Sequence, residues 1–86
     1  MSDDLQIALR TMVRQIMARA RRGRPFSLVM LRSFLAPDFD TLTESDVREA
    51  LRWNHERGFV ERKLDEENER ELWFITEAGR RRVMEE

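Results

Sequence analysis

The chain has 86 residues, 41% of them hydrophobic and 38% charged, with a formal net charge of −1 and no cysteine. That length holds a single domain over 1–86, whose small core buries about 60–65% of the unfolded surface. The apolar fraction excludes a disordered chain, and the missing thiols exclude disulfides and thiolate metal sites. The acidic start, Ser2-Asp3-Asp4, carries no secretory signature, and no apolar run approaches the roughly 20 residues of a membrane span, so a cytoplasmic protein without membrane contact is expected.

Charge is unevenly spread. Up to Thr43, seven arginines face four aspartates; from Glu44 onward, acids outnumber bases thirteen to nine. A domain built for tight nonspecific DNA binding is usually clearly basic, and this balance is not.

Leu5, Leu9, Met12, Ile16 and Ala20 recur at three and four residues and predict a first amphipathic helix. Ser2 or Asp3 can cap it, and Arg10, Arg14 and Arg21 lie off its apolar stripe. Gly23 and Pro25 end it. Arg19 to Arg22 then fall in its last turn, where cations meet the negative end of the helix dipole. These arginines either stabilise the helix end or contact phosphates. Phe26 either begins a very short strand or plugs the core, after which Ser27 caps a second helix over 28–35. That helix is apolar nearly all round, which places it in a core or an interface. Phe34 and Phe39 are expected to pack inward.

Thr43 caps a third helix, with Asp46 three residues on as its capping-box partner. Gly58 supplies the left-handed residue after its last turn. Residues 59–63 read as a strand, 64–70 as a polar turn and 71–75 as a returning strand. Thr76 caps a final short helix through Ala78, Val83 and Met84. The fold class is therefore α+β, in the order helix–helix–helix–strand–strand–helix.

Three passages resemble the winged helix-turn-helix domains of small bacterial transcriptional regulators, in particular relatives of the multiple-antibiotic-resistance and phenolic-acid-decarboxylase (MarR- and PadR-like) regulators. They are Asp46-Val47-Arg48-Glu49-Ala50-Leu51 running to Arg57-Gly58-Phe59-Val60, the hairpin with its polar tip, and Ile75-Thr76-Glu77-Ala78-Gly79-Arg80. The resemblance covers about half the chain. It implies that the helix over 43–57 reads the major groove of duplex DNA and that the hairpin is the wing.

On that helix, at about 100° per residue, Val47, Ala50, Leu51 and Asn54 share the inward face. Ser45, Glu49, Arg52 and Glu56 point outward, flanked by Arg48 and Trp53. Arg48 and Arg52 suit guanine or phosphate, and Glu49 suits cytosine N4, but Glu49 and Glu56 are within pairing reach of Arg52. The face is read either as DNA-reading or as solvated and protein-binding. Asp65, Glu66, Glu67 and Glu69 make the hairpin tip acidic, which fits a solvated turn or a surface for a basic partner and opposes contact with phosphate.

Asn54 stands where such helices place an apolar residue, so if buried it needs hydrogen-bond partners. Trp53 is expected to pack beneath the hairpin beside Trp73 or to form an exposed anchor. In the returning strand Leu72, Trp73, Phe74 and Ile75 are all apolar, so alternation fails and a second face must be covered.

Candidate DNA contacts are thus Ser45, Arg48, Glu49 and Arg52, with Arg21, Arg22, Arg24 and Lys63 on the backbone. Candidate interface residues are Trp53, Leu72, Trp73 and Phe74, with the first and last helices supporting a homodimer. The alternative is a winged-helix protein-interaction module. One histidine, no metal-ligand spacing and no glycine-rich phosphate loop argue against an enzyme, and neither a cofactor nor a metal is expected.

Overall fold

The computed structural model describes residues 2–86. Helix α1 (Asp3–Arg19) starts where its cap predicts: Ser2 Oγ accepts from the Leu5 N–H at 3.3 Å, and Asp3 and Asp4 occupy the first turn. Leu9, Val13 and Met17 are buried along its inner face. The helix stops at Ala20, earlier than the arginine run suggested, so Arg21 and Arg22 lie outside it. Gly23 then takes φ +80° in the turn that follows. Its carbonyl end is held by a cation from the far end of the chain: Arg80 donates from Nη1 to Ala18 O at 2.9 Å and from Nη2 to Ala20 O at 3.2 Å.

Ser27 Oγ accepts from the Met30 N–H at 3.1 Å and opens α2 (Leu28–Leu35). Only Leu31 and Leu35 are fully buried on it; Val29 is 61% exposed and Phe34 47%. The expectation that Phe34 packs into the core is therefore wrong. No element among the described residues lies over the outer side of α2, where Val29 and Phe34 stay exposed. A 3₁₀ turn, Ala36–Asp38, follows, and Phe39 and Leu42 are both buried, as expected for Phe39.

Helix α3 (Glu44–Glu56) carries a complete capping box. Thr43 Oγ1 accepts from the Asp46 N–H at 3.1 Å, and Asp46 Oδ2 accepts from the Thr43 N–H at 3.1 Å. Val47, Ala50, Leu51 and Asn54 all face inward. Gly58 ends the helix at φ +76°, and the Phe59 N–H reaches back to Asn54 O at 2.9 Å.

Strands β1 (Val60–Asp65) and β2 (Arg70–Ile75) pair antiparallel from Val60↔Ile75 to Asp65↔Arg70. Both run further than expected, leaving 66–69 as the turn and Leu64 inside β1. The short strand near Phe26 is a single bridge: Phe26 and Trp73 exchange two backbone hydrogen bonds, at 2.9 and 2.8 Å. That bridge puts β2 between Phe26 and β1. Trp73 faces the core, 5% exposed, while Leu72 and Phe74 lie half-buried on the opposite face.

Thr76 joins both ends of the hairpin to α4 (Glu77–Met84). Its hydroxyl donates to Gly58 O at 2.6 Å and accepts from the Gly79 N–H at 3.0 Å. Gly79 is the closest approach: a Cβ there would overlap the Phe59 carbonyl oxygen and stand 2.8 Å from Ile75 Cγ1. The glycine of the Thr-Glu-Ala-Gly passage is thus a packing requirement, because only a bare Cα lets α4 cross the exit of α3.

The core joins Leu9, Val13 and Met17 to Phe26, Leu31, Leu35, Val47, Ala50, Leu51, Val60 and Trp73. Each large side chain among them contributes about 1.5–3 kcal/mol by leaving water. One polar seam crosses it. Arg14, placed off the apolar stripe by its spacing, is only 3% exposed and lies against the fully buried Asn54. Its guanidinium also pairs with Glu86, the Nε–Oε1 distance being 3.0 Å.

Candidate nucleic-acid interface

A cleft of about 300 Å³ opens between α3 and the inner face of the hairpin, lined by Arg48, Arg52, His55, Arg62, Glu71 and Trp73. Helical spacing builds one wall: positions 48, 52 and 55 are four and three residues apart and fall on one side of α3. Strand alternation builds the other. Arg62 pairs in register with Trp73, so the two share a face, and that face is turned to the core at Trp73 and to the cleft at Arg62.

Three arginines and a histidine thus line the cleft around one carboxylate, which two of the arginines contact. Glu71 accepts from Arg48 Nη1 at 3.2 Å and stands 3.5 Å from Arg62 Nη1. It orders both guanidiniums and ties α3 to the hairpin. Arg52 forms no ion pair among the described residues, so the expected pairs with Glu49 and Glu56 are not made. The two glutamates lie further round the outer crest of α3, away from the cleft. His55 meets Trp73 edge-on, with ring centroids 6.2 Å apart. The Trp73 indole N–H is buried without a hydrogen-bond partner among the described residues. The cleft therefore offers an anion three arginines and a histidine, against one carboxylate already shared by two cations.

The sequence-predicted residues are only partly brought together. Arg48 and Arg52 line the cleft, with Ser45 exposed one turn before Arg48. Glu49 stands on the crest beside them. Lys63 lies on the other face of the hairpin, its Nζ 5.1 Å from the Phe74 ring centre. Arg62, its neighbour, holds the place assigned to it. Arg21, Arg22 and Arg24 do not line the cleft. Arg22 pairs with Glu77 at the start of α4, and Arg24 lies over Phe26 at 5.0 Å.

Among the candidate interface residues, Trp73 is a core residue and offers no surface to a partner. Trp53 does not pack beside it. It lies on the far flank of α3, half-buried between Arg57 at 3.8 Å and Arg10 at 4.8 Å, with Phe59 at 6.4 Å. Leu72 and Phe74 remain half-buried on the outer face of the hairpin.

Arg62 and His55 were missed by sequence reading. Alternation counted from the apolar Val60 puts 62 and 64 on its face, a signal hidden by the four consecutive apolar residues opposite. His55 follows Arg48 and Arg52 on the same helical stripe.

No protein-family model and no curated protein matches the sequence. Solved structures do resemble the fold. A mutant of Lactococcus lactis ZitR in its apo form superposes with a TM-score of 0.71 at 14% identity, over 95% of this chain and 56% of that one. A second ZitR mutant structure gives 0.70 at 15% identity, over 91% and 48%. HOP2, in a structure of its DNA-recognition and protein-interaction domains, gives 0.65 at 16% identity, over 79% and 98%. The chain thus spans about half the length of the ZitR chains. The likeness establishes the fold, a winged helix with β1 and β2 as its wing. Among the described residues no helix is long and apolar enough to cross a membrane, and no cluster of metal-ligating side chains occurs.

Proposed function

We propose that this domain binds duplex DNA and serves as a transcriptional regulator, with α3 entering the major groove. Arg52 and Arg48, with Ser45 and Glu49 beside them, meet base edges or phosphates, and Arg62 holds the backbone from the wing. The observation that carries this is the cleft itself, where Arg52 is unpaired and Glu71 is the only acid among three arginines. The fold supports the same reading, since HOP2, one of the similar structures, includes DNA-recognition domains. Arg21, Arg22, Arg24 and Lys63 are second-rank backbone contacts in this reading, because each lies away from the cleft.

Fluorescence anisotropy on a random-sequence duplex tests it. Binding falls steeply between roughly 50 and 200 mM salt, and Arg52→Ala with Arg62→Ala lowers the logarithmic salt slope by about 2. Unchanged affinity and slope in that double variant would remove the cleft from the interface.

A second reading, a winged-helix module that binds protein, rests on Glu49 and Glu56 along the crest and Glu66, Glu67 and Glu69 at the wing tip. All five are exposed and make no ion pair among the described residues. Absence of any duplex binding at roughly 50 mM salt selects it over the first.

A further inference from the structure

We propose that copies of this chain associate head to tail, the acidic hairpin tip of one copy seated in the groove between α1 and α2 of the next. The groove has a volume of about 400 Å³ and an apolar lining of Met12, Ile16, Phe26 and Phe34, with Arg19 and Arg24 exposed at its edges. Asp38 is the one acid that lines it. Phe34, half-exposed on α2, belongs to this groove.

The occupant follows from charge. Two grooves meeting about a two-fold axis would bring Arg19 and Arg24 of both copies onto one another, a like-charge contact that opposes a closed dimer. The tip of the hairpin has the complementary character. Leu64 is 66% exposed in β1, and Glu66, Glu67 and Glu69 follow it in the turn, unpaired among the described residues. Asp65 is already engaged, by the Asn68 side-chain amide at 2.8 Å and by Arg70 at 3.5 Å, so it shapes the turn and leaves the glutamates to a partner. Leu64 supplies the apolar group for the groove, and the glutamates meet Arg19 and Arg24.

No hairpin residue lines the groove of its own chain, and neither patch includes a residue of the α3–wing cleft. Two different surfaces in contact make a heterologous interface, which adds copies head to tail beyond a dimer, into a row or, where the rotation between copies closes, a ring. Such an assembly leaves every cleft open, and it gives the acidic tip a role that contact with phosphate does not.

Sedimentation velocity on the full chain, without nucleic acid, tests this. Across about 5 to 500 µM protein the weight-average size of the wild type rises continuously past that of a dimer, as a weak open-ended contact requires. Leu64→Glu and Phe34→Glu, both at exposed positions and checked for helix content by circular dichroism, each sediment as a 10.4 kDa species. Mixed in equal amounts they form a one-to-one dimer and nothing larger, because one keeps an intact groove and the other an intact tip.

A wild type that stays at 10.4 kDa throughout, a dimer that both variants retain, or a mixture that stays monomeric overturns the proposal. Because DNA is absent, failure here leaves the cleft reading standing, and failure of the anisotropy experiment leaves this contact standing.

Discussion

Arg14 and Asn54 meet inside the seam between α1 and α3, where Arg14 Nη1 donates to Asn54 Oδ1 at 2.9 Å and both side chains are shut off from water. Asn54 spends its own donors on Ala50 O at 2.9 Å and Arg10 O at 3.2 Å. A polar residue in the inward stripe of α3 is thus fully partnered, and its amide sets the register between two helices. Asn54→Leu leaves the Arg14 guanidinium short of an acceptor in a dry site. The expected loss is about 2–4 kcal/mol in urea unfolding. Combining it with Arg14→Met removes the stranded charge, so the double variant loses less than the two single losses added together. Strict additivity would show that the pair does not act as a unit.

Gly79 has no room for a side chain, since a Cβ would overlap the carbonyl of Phe59 and press on Ile75. Gly79→Ala normally favours a helix, but here it is expected to cost about 1–3 kcal/mol through overpacking. Thermal unfolding checks it, and an unchanged or raised midpoint would show that α4 can shift away from the α3 exit.

What was legible beforehand divides along physical lines. Caps and periodicity located the four α-helices, because Ser27, Thr43 and Thr76 act within three residues of themselves. The hairpin and the core face of α3 followed from local pattern too. Arg14 was misplaced because its partners, Asn54 and Glu86, lie 40 and 72 residues away, and nothing local marks a guanidinium as buried. Phe34 was misplaced because apolarity reveals a preference for burial, not whether an element exists to bury it. The candidate site was half legible: Arg48 and Arg52 came from the helix, while the choice between Arg62 and Lys63 depends on strand register.

Thr41 occupies the left-handed region at φ 53° in the turn before α3. A β-branched residue is strained there, and asparagine tolerates it better. Thr41→Asn is expected to raise the unfolding midpoint, with a gain of about 0.5–1 kcal/mol. A lowered midpoint would mean that the threonine side chain contributes more than its backbone costs.

Glu71 holds Arg48 and Arg62 on one carboxylate. Glu71→Gln removes that charge from the cleft, and duplex affinity is expected to rise about three- to tenfold at roughly 50 mM salt. A fall in affinity would show instead that Glu71 matters by aiming the arginines.

Asp65 is held below the ordinary aspartate value of 3.8, first by the hydrogen bond from the Asn68 side chain and then by backbone N–H groups and Arg70. A depressed carboxylate contributes to folding above its unfolded value, and the contribution disappears as pH falls through the folded midpoint. NMR titration of the Asp65 carboxyl is expected to give a midpoint under 3.8, and Asn68→Ala to move it upward. An unmoved midpoint would assign the shift to Arg70.

The two hydrogen bonds from Arg80 to Ala18 and Ala20 span 62 and 60 residues. During synthesis on a ribosome, the end of α1 therefore waits until Arg80 has emerged before these carbonyls find their donor. A nascent chain halted after the wing would hold the first three helices without this clasp on α1.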